Sequence, residues 1–484
     1  MLTQQLHPSS SHARKLSIFS SDKAAFSFIG LSMSYLALGL LFGVLGGFQY
    51  LLPDFLRTHL AFEKIRPLHV YLAIAWIFTM AQGGIYYFLP RISRRPLVWA
   101  QGAWIHFFLQ LLTSAGIIVA FFLGYFGGRE YLEFPPVLGI FIALSWVPFV
   151  VNFFGTLKPD YVNAPVYYFS WTIGIVFFFV TFSESYLWLF DHFNNNQIRD
   201  TTVQWKALGT MVGSWNMLVY GTSIYMMEKI RGDQKISRSP IVFFFFFVGF
   251  TNLLFNWGHH TYIVPAAPWV KTVAYVISMT ELLIFGQIVY KFRKTLSEAQ
   301  KNYHSITYRL LSFADLWIFL NLGAAIAISV PALNYYTHGT HITVAHAMGT
   351  TIGINTMLLF AAVFYILQKY QPAVLEKNRK LVGRGIVIAN ISLVIFWFAL
   401  IGSGLVKISG QLENQAFAQI MEASKPFFRM FTASGVLIMV GLVMMIVGAF
   451  IVLLRPARPK IRVQPAVRGV SIRGEVPAKE MSGQ

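Results

Sequence analysis

Runs of about twenty apolar residues, broken by short polar stretches, recur along the whole chain. A helix needs about 20 mostly apolar residues to cross the hydrocarbon core of a bilayer. By that test twelve segments qualify: 24–50, 68–90, 98–124, 136–157, 164–190, 203–228, 240–258, 267–290, 308–331, 342–368, 384–406 and 430–454. They are evenly spread, leave no room for a soluble domain and show no internal repeat. The pattern predicts an all-α membrane protein, a twelve-transmembrane-helix bundle over 24–454. A polar tail precedes it at 1–23, and a basic tail with the composition of a disordered segment follows at 455–484.

Composition agrees with that class. The 484 residues are 56% hydrophobic and 12% charged, with a mean hydropathy of +0.58, values outside the range of soluble domains. The formal charge of +19 raises the question of a nucleic-acid partner, and the placement of the charges answers it. With the N-terminus inside, most of the 38 Lys and Arg residues fall on the inner segments: the N-tail, 91–97, 158–163, 229–239, 291–307, 369–383 and the C-tail. That asymmetry predicts cytoplasmic N- and C-termini. It directs the positive charge at anionic membrane lipid, with no nucleic acid required. The N-terminus lacks a short apolar core with a cleavage site, so the first apolar segment reads as a retained helix.

There is no cysteine, which excludes disulfides, thiolate metal sites and thioether-linked heme on this chain. Any metal must be held by His, Met, Tyr or carboxylate. Polar groups inside a membrane are costly, so their positions carry information. His69 lies just inside the second segment. His259 and His260 end the seventh, in FNWGHHTYIVP, and His346 and Met348 sit in the outer turns of the tenth, in NYYTHGTHITVAHAM. Four histidines and a methionine from three helices thus share one predicted depth, as a heme or metal site would require. His346 and Met348 are two residues apart, so a helix turning about 100° per residue aims them to opposite sides.

Taken singly, each has a plainer reading. His69 suits an interfacial histidine, the pair a helix cap, and Met348 packing. His338 and His341 are expected on the outer loop, facing heme propionates or water, and His106 in the third segment has no assigned role. Glu281 lies near the middle of the eighth segment, either as a protonated structural residue or on a proton route. Glu228 reads as interfacial, beside Lys229. Glu130 and Glu133 occupy the outer loop in GGREYLEFPP, where oxygen ligands suit a hard cation such as calcium.

Several motifs combine into a resemblance over essentially the whole chain. They are His69 with Trp76 and Tyr86-Tyr87-Phe88-Leu89-Pro90, Gly128 to Glu133, Gly258-His259-His260 followed by Glu281, and Asn334 to Thr340. Together they resemble the catalytic, b-type heme subunit of nitric oxide reductases, in the heme–copper oxidase superfamily. The resemblance implies two hemes b, with His69 as axial ligand of the low-spin heme and His346 as proximal ligand of the high-spin heme. It further implies non-heme iron on His259 and His260, and calcium near Glu130 and Tyr86 or Tyr87. Glu281 would serve the catalytic pocket with His346. The implied reaction is 2 NO + 2 e- + 2 H+ to N2O + H2O in a bacterial inner membrane, within a denitrifying respiratory chain. Electrons would come from a small membrane-anchored cytochrome c subunit or a periplasmic c-type cytochrome.

Two positions depart from the family pattern. The family has His-x-His on the tenth helix, and this chain has His346-Ala347-Met348, so a thioether would be the second low-spin ligand. On the sixth helix the family's His-Leu-Trp-Val-Glu-Gly is replaced by Trp205 to Trp215, without histidine or carboxylate. Met211 is the one ligand-type side chain near the expected depth, with packing as its alternative role. These departures keep rival expectations open: a terminal oxygen reductase, or a divergent homologue in electron transfer, NO sensing or another NO conversion. Against the oxidase stands the absence of a tyrosine between Ile241 and Trp257.

Overall fold

The computed structural model describes residues 21–157, 161–280 and 297–455. Among these residues it is built of helices, with one isolated two-residue bridge between Arg129 and Leu132. In chain order they are α1 (Asp22–Leu51), α2 (Phe62–Ser93), α3 (Ala100–Leu123), α4 (Pro136–Thr156), α5 (Val166–Glu184), the short α6 (Asp191–Asn194), α7 (Gln197–Arg231) and α8 (Pro240–Phe255). After a 3-10 turn, Asn256–Thr261, α9 begins at 268 and is described to 280. There follow α10 (Glu298–Tyr303), α11 (Ser305–Ser329), α12 (Pro331–Thr337), α13 (His341–Met348), a π-helical segment Gly349–Thr356, α14 (Met357–Tyr370), α15 (Pro372–Lys377), α16 (Arg379–Leu412) and α17 (Phe417–Leu453).

Ten helical spans among the described residues are long and apolar enough to cross a membrane, against twelve expected. The sixth expected segment, 203–228, lies within the 35-residue α7, whose polar first turns and buried Thr and Ser residues dilute its hydropathy. The eighth, 267–290, runs past residue 280 and out of the described residues, as do the two tails. The expected last helix starts at 430, yet α17 begins at Phe417; its first turns carry the exposed Glu422–Lys425 pair that hides them from a hydropathy test.

Helix pairs adjacent in sequence pack against each other (α1 with α2, α3 with α4, α16 with α17), and α1 meets α17 to bring the two ends of the chain together. Arg91, near the end of α2, donates two 2.8 Å bonds to the carboxylate of Asp22, at the start of α1. Both partners are largely buried. Each charge also complements the dipole of its own helix end. Two spans stand apart as interior helices. In α2 and in His341–Tyr370, 83% of the most apolar window is enclosed by protein, against 22–50% in the other eight. A helix apolar on all sides belongs in the middle of a bundle, and these two carry His69, His346 and Met348.

Candidate heme and metal pocket

His69 is oriented by α1. Its Nδ1 lies 2.7 Å from the carbonyl oxygen of Gly39, a contact that only a protonated Nδ1 can make as donor, leaving Nε2 with its lone pair. Gly43 makes room for the ring, because a Cβ there would fall 2.8 Å from His69 Nδ1. One helix turn thus holds the imidazole in place, with its free nitrogen directed elsewhere, as an axial heme ligand requires.

Gly339, at φ 71°, turns the chain into α13, and the Thr340 hydroxyl caps that helix by accepting from the Ile342 amide at 3.2 Å. α13 carries His346 and Met348, both half-buried, and because it stays α-helical to Met348 the two side chains leave it on opposite sides. Nδ1 of His346 is buried without a partner. Below them the chain widens into the π segment, where Thr350 and Thr351 bond back to the carbonyls of His346 and Ala347 at 3.2 and 2.8 Å. Such segments are rare and concentrate at functional sites.

A single bond sets the register between the two interior helices. Trp76 Nε1 donates to Thr356 Oγ1 at 3.1 Å. His69 lies two turns before Trp76, about 10 Å along the axis, and Met348 lies eight residues before Thr356, across the π segment. Both helices run in the same direction, as the Trp76–Phe360 and Phe88–Tyr365 ring contacts show, so His69 and Met348 lie toward the same end of the bundle.

His259 and His260 sit on the 3-10 turn after α8, held close to α9 at Gly258, where a Cβ would be 2.9 Å from Ala274 Cβ. Their rings are 4.2 Å apart. Ser278 donates to Asn256 Oδ1 at 2.7 Å, and the same oxygen lies 3.0 Å from His259 Nδ1, so the His259 Nδ1–H donates and Nε2 is left free. His260 stacks on Trp205 of α7 at 4.7 Å and 6° and lies 6.4 Å from the ring of His338. His346 and His338 are both within electrostatic range of His259 and of His260. The structure therefore brings His259, His260 and His346 near one another. It also adds His338, which sequence reading left facing propionates or water.

The sixth-helix departure has a structural counterpart. α7 presses against the 3-10 turn and α8 through Gly209 and Gly213, where a Cβ would fall 2.5 Å from Trp257 Cβ and 2.7 Å from Leu253 Cβ. Small residues four apart let two membrane helices approach to backbone contact, which leaves no space for a long side chain at 209. Met211 is 3% exposed and belongs to the apolar core, so packing is the role its surroundings support. Among the described residues no group of three or more His, Asp or Glu side chains is placed to hold a metal. The histidines present fit heme ligation; among the described residues the donor set around His259 and His260 does not complete a three-ligand metal centre.

The calcium expectation requires correction. Tyr86 is buried far along α2, its hydroxyl 3.1 Å from His106 Nδ1. Glu130 pairs at 2.5 Å with Arg66, near the start of the same helix. Arg66 and Tyr86 are about 30 Å apart along α2, so Glu130 and Tyr86 cannot share an ion, and Tyr87, one residue further along, fares no better. Arg66 also holds Glu133 at 2.7 Å, and Arg129 holds Asp200 of α7 at 2.7 Å. An arginine clamp occupies the loop expected to bind a cation. Burial raises the Glu133 carboxyl above its ordinary range, and pushes the Tyr131 hydroxyl up to about 12.

Glu228, three residues before the end of α7, is covered by the chain that follows it. It is 2% exposed and bonded by Ser237 at 2.5 Å and Lys229 at 2.8 Å. His106, fully buried, packs against Phe28 and Phe149. His341, expected on the loop, instead opens α13 and meets Ser403 at 3.0 Å. Glu281 lies outside the described residues.

A helical membrane bundle with four histidines gathered around two interior helices defines a candidate heme protein. The chain belongs to the heme–copper oxidase subunit I family: the family described as Cytochrome C and Quinol oxidase polypeptide I matches residues 23–437. It is 24% identical over 435 residues to a nitric oxide reductase subunit from Stutzerimonas stutzeri, covering 83% of this chain and 89% of that one. It is 21% identical to a cytochrome c oxidase subunit 1 homolog of Agrobacterium tumefaciens, covering 84% and 79%. A solved heme-copper terminal oxidase dimer shares the fold at a TM-score of 0.72 and 14% identity, over 91% of this chain and 85% of that one. Family membership makes this an integral membrane subunit of the oxidoreductase class.

Proposed function

We propose that the chain is the heme-bearing subunit of a nitric oxide reductase-type enzyme, spanning a bacterial inner membrane twelve times with both termini in the cytoplasm. The observation that carries this reading is the gathering of His259, His260, His338 and His346 beside the two interior helices. Electrons enter from a small membrane-anchored cytochrome c subunit or a periplasmic c-type cytochrome. His69 and Met348 would hold a low-spin heme b, and His346 a high-spin heme b. When bound, the hemes would supply reversible one-electron chemistry and the site of NO binding. The protein sets ligand orientation: the Gly39 carbonyl fixes His69, and Asn256 fixes His259. A Met348 thioether as the second ligand would raise the low-spin potential relative to two histidines. Glu281 carries protons to the pocket.

His259 and His260 face the pocket with two donors, which is too few for tight iron binding. That shortfall favours a second reading, in which the chain transfers electrons or binds NO without reducing it to N2O. Pyridine hemochrome and metal analysis of the purified protein separate the two. Two hemes b with one iron beyond heme and N2O production support the reductase. Two hemes without extra iron support the second reading, and absence of heme overturns both.

A further inference from the structure

At the end of the bundle where α11 and α16 begin, a cleft of about 780 Å³ opens between them. Its rim is basic. Arg309 comes from α11, Lys377 from the end of α15, and Lys380 and Arg384 from the first turns of α16. Arg379 is paired with Glu376 at 3.2 Å; the other four cations have no carboxylate partner among the described residues. Gly383 lets the Arg309 guanidinium lie across α16, since a Cβ there would be 3.1 Å from Nη1. The cations occupy only the first ~8 Å of the two helices. Past Arg384 the α16 wall turns apolar through Ile386, Val387 and Ile388, with Val387 38% exposed, and the buried Ile306 faces the cleft from the first turn of α11.

We infer that this cleft binds an anionic phospholipid, its phosphate held by Arg309, Lys380 and Arg384 and its acyl chains running down the α11–α16 groove past Val387. Charge at the helix ends and apolar lining below match the two halves of a lipid. A free phosphate would use only the rim. Basic pockets between membrane helices on the side of the anionic leaflet recognise such headgroups.

The test is native mass spectrometry of the full-length protein in detergent, titrated with phosphatidylglycerol, with phosphatidylcholine of the same chains, and with inorganic phosphate. The expected result is saturable phosphatidylglycerol binding, weakened about 30-fold by Arg309→Gln combined with Arg384→Gln and unchanged by Arg94→Gln at an exposed site elsewhere. Gly383→Leu keeps every cation but fills the cleft, and is expected to weaken binding as well. Equal binding of phosphatidylcholine, equal competition by inorganic phosphate, or undiminished binding in the cleft variants would overturn the inference.

Discussion

At the residue scale the two members of the His346–Met348 pair predict separable effects. His346→Ala is expected to abolish CO binding to the reduced protein while leaving the low-spin spectrum intact; persistence of the CO band would remove His346 from the high-spin heme. Met348→His would replace a thioether with an imidazole. Redox titration should then show the low-spin potential falling by on the order of 100 mV, whereas an unchanged potential would return Met348 to packing. His304 gives a pH prediction. It is 6% exposed, its Nδ1 is 3.0 Å from Gln368 Oε1, and burial, with the nearby Lys369 charge, lowers its pKa. The unfolded chain therefore takes up this proton first, and stability is lost as pH falls below the ordinary histidine value of about 6.5. Thermal midpoints should drop between pH 7.5 and 5.5, and the drop should shrink in His304→Gln; equal slopes would exclude His304 as its source. The histidine motifs were legible in sequence because spacing and depth survive translation into helices. His304 and Glu228 were not, because a loop or helix end in sequence says nothing of what folds over it.

At the element scale, the site depends on two helical irregularities that hydrophobic patterning does not register. The π segment Gly349–Thr356 is uncharged and built of small residues between apolar flanks, so a hydropathy reading runs through it unbroken from 342 to 368. It nevertheless resets the angle between His346 and Met348 of α13 and Thr356, the partner of Trp76. Deleting Thr351 would let the segment relax toward α-helix and rotate His346 and Met348 by about 100° relative to α14. The expected outcome is a helical, membrane-inserted protein that has lost both heme signals; retention of either would show that the π segment is not what aims the ligands. The second irregularity is the Gly209–Gly213 contact of α7. Sequence located the missing third histidine, but the backbone-to-backbone packing that stands in its place became visible only in three dimensions. Gly209→Leu would drive a side chain into Trp257, and overpacking of this kind costs about 1–3 kcal/mol. A lower thermal midpoint is expected, with the His260–Trp205 stack displaced and Trp fluorescence altered. An unperturbed protein would mean that α7 can yield at this point.

At the scale of the whole molecule, the arrangement of charge makes one prediction about every loop at once. The cations that remain on inner segments and the carboxylate–arginine clamps around Arg66 and Arg129 lie at opposite ends of the same helices, since α2 carries Arg66 near its start and Arg91 near its end. If basic loops stay in the cytoplasm, the histidine pocket opens toward the periplasm, where a c-type cytochrome would dock, and the basic cleft between α11 and α16 faces the anionic inner leaflet. The absence of native cysteine permits a clean test. Single cysteines at the exposed positions Arg94, Lys377, Arg57 and Glu413 can be challenged with a membrane-impermeant maleimide in right-side-out vesicles. Arg57→Cys and Glu413→Cys should label from outside, while Arg94→Cys and Lys377→Cys should label only after the membrane is opened. The reverse pattern would invert the molecule, moving electron entry to the cytoplasm. A mixed pattern would break the twelve-span count at the loop that deviates, and α7 and α9 are where such a break would first be sought.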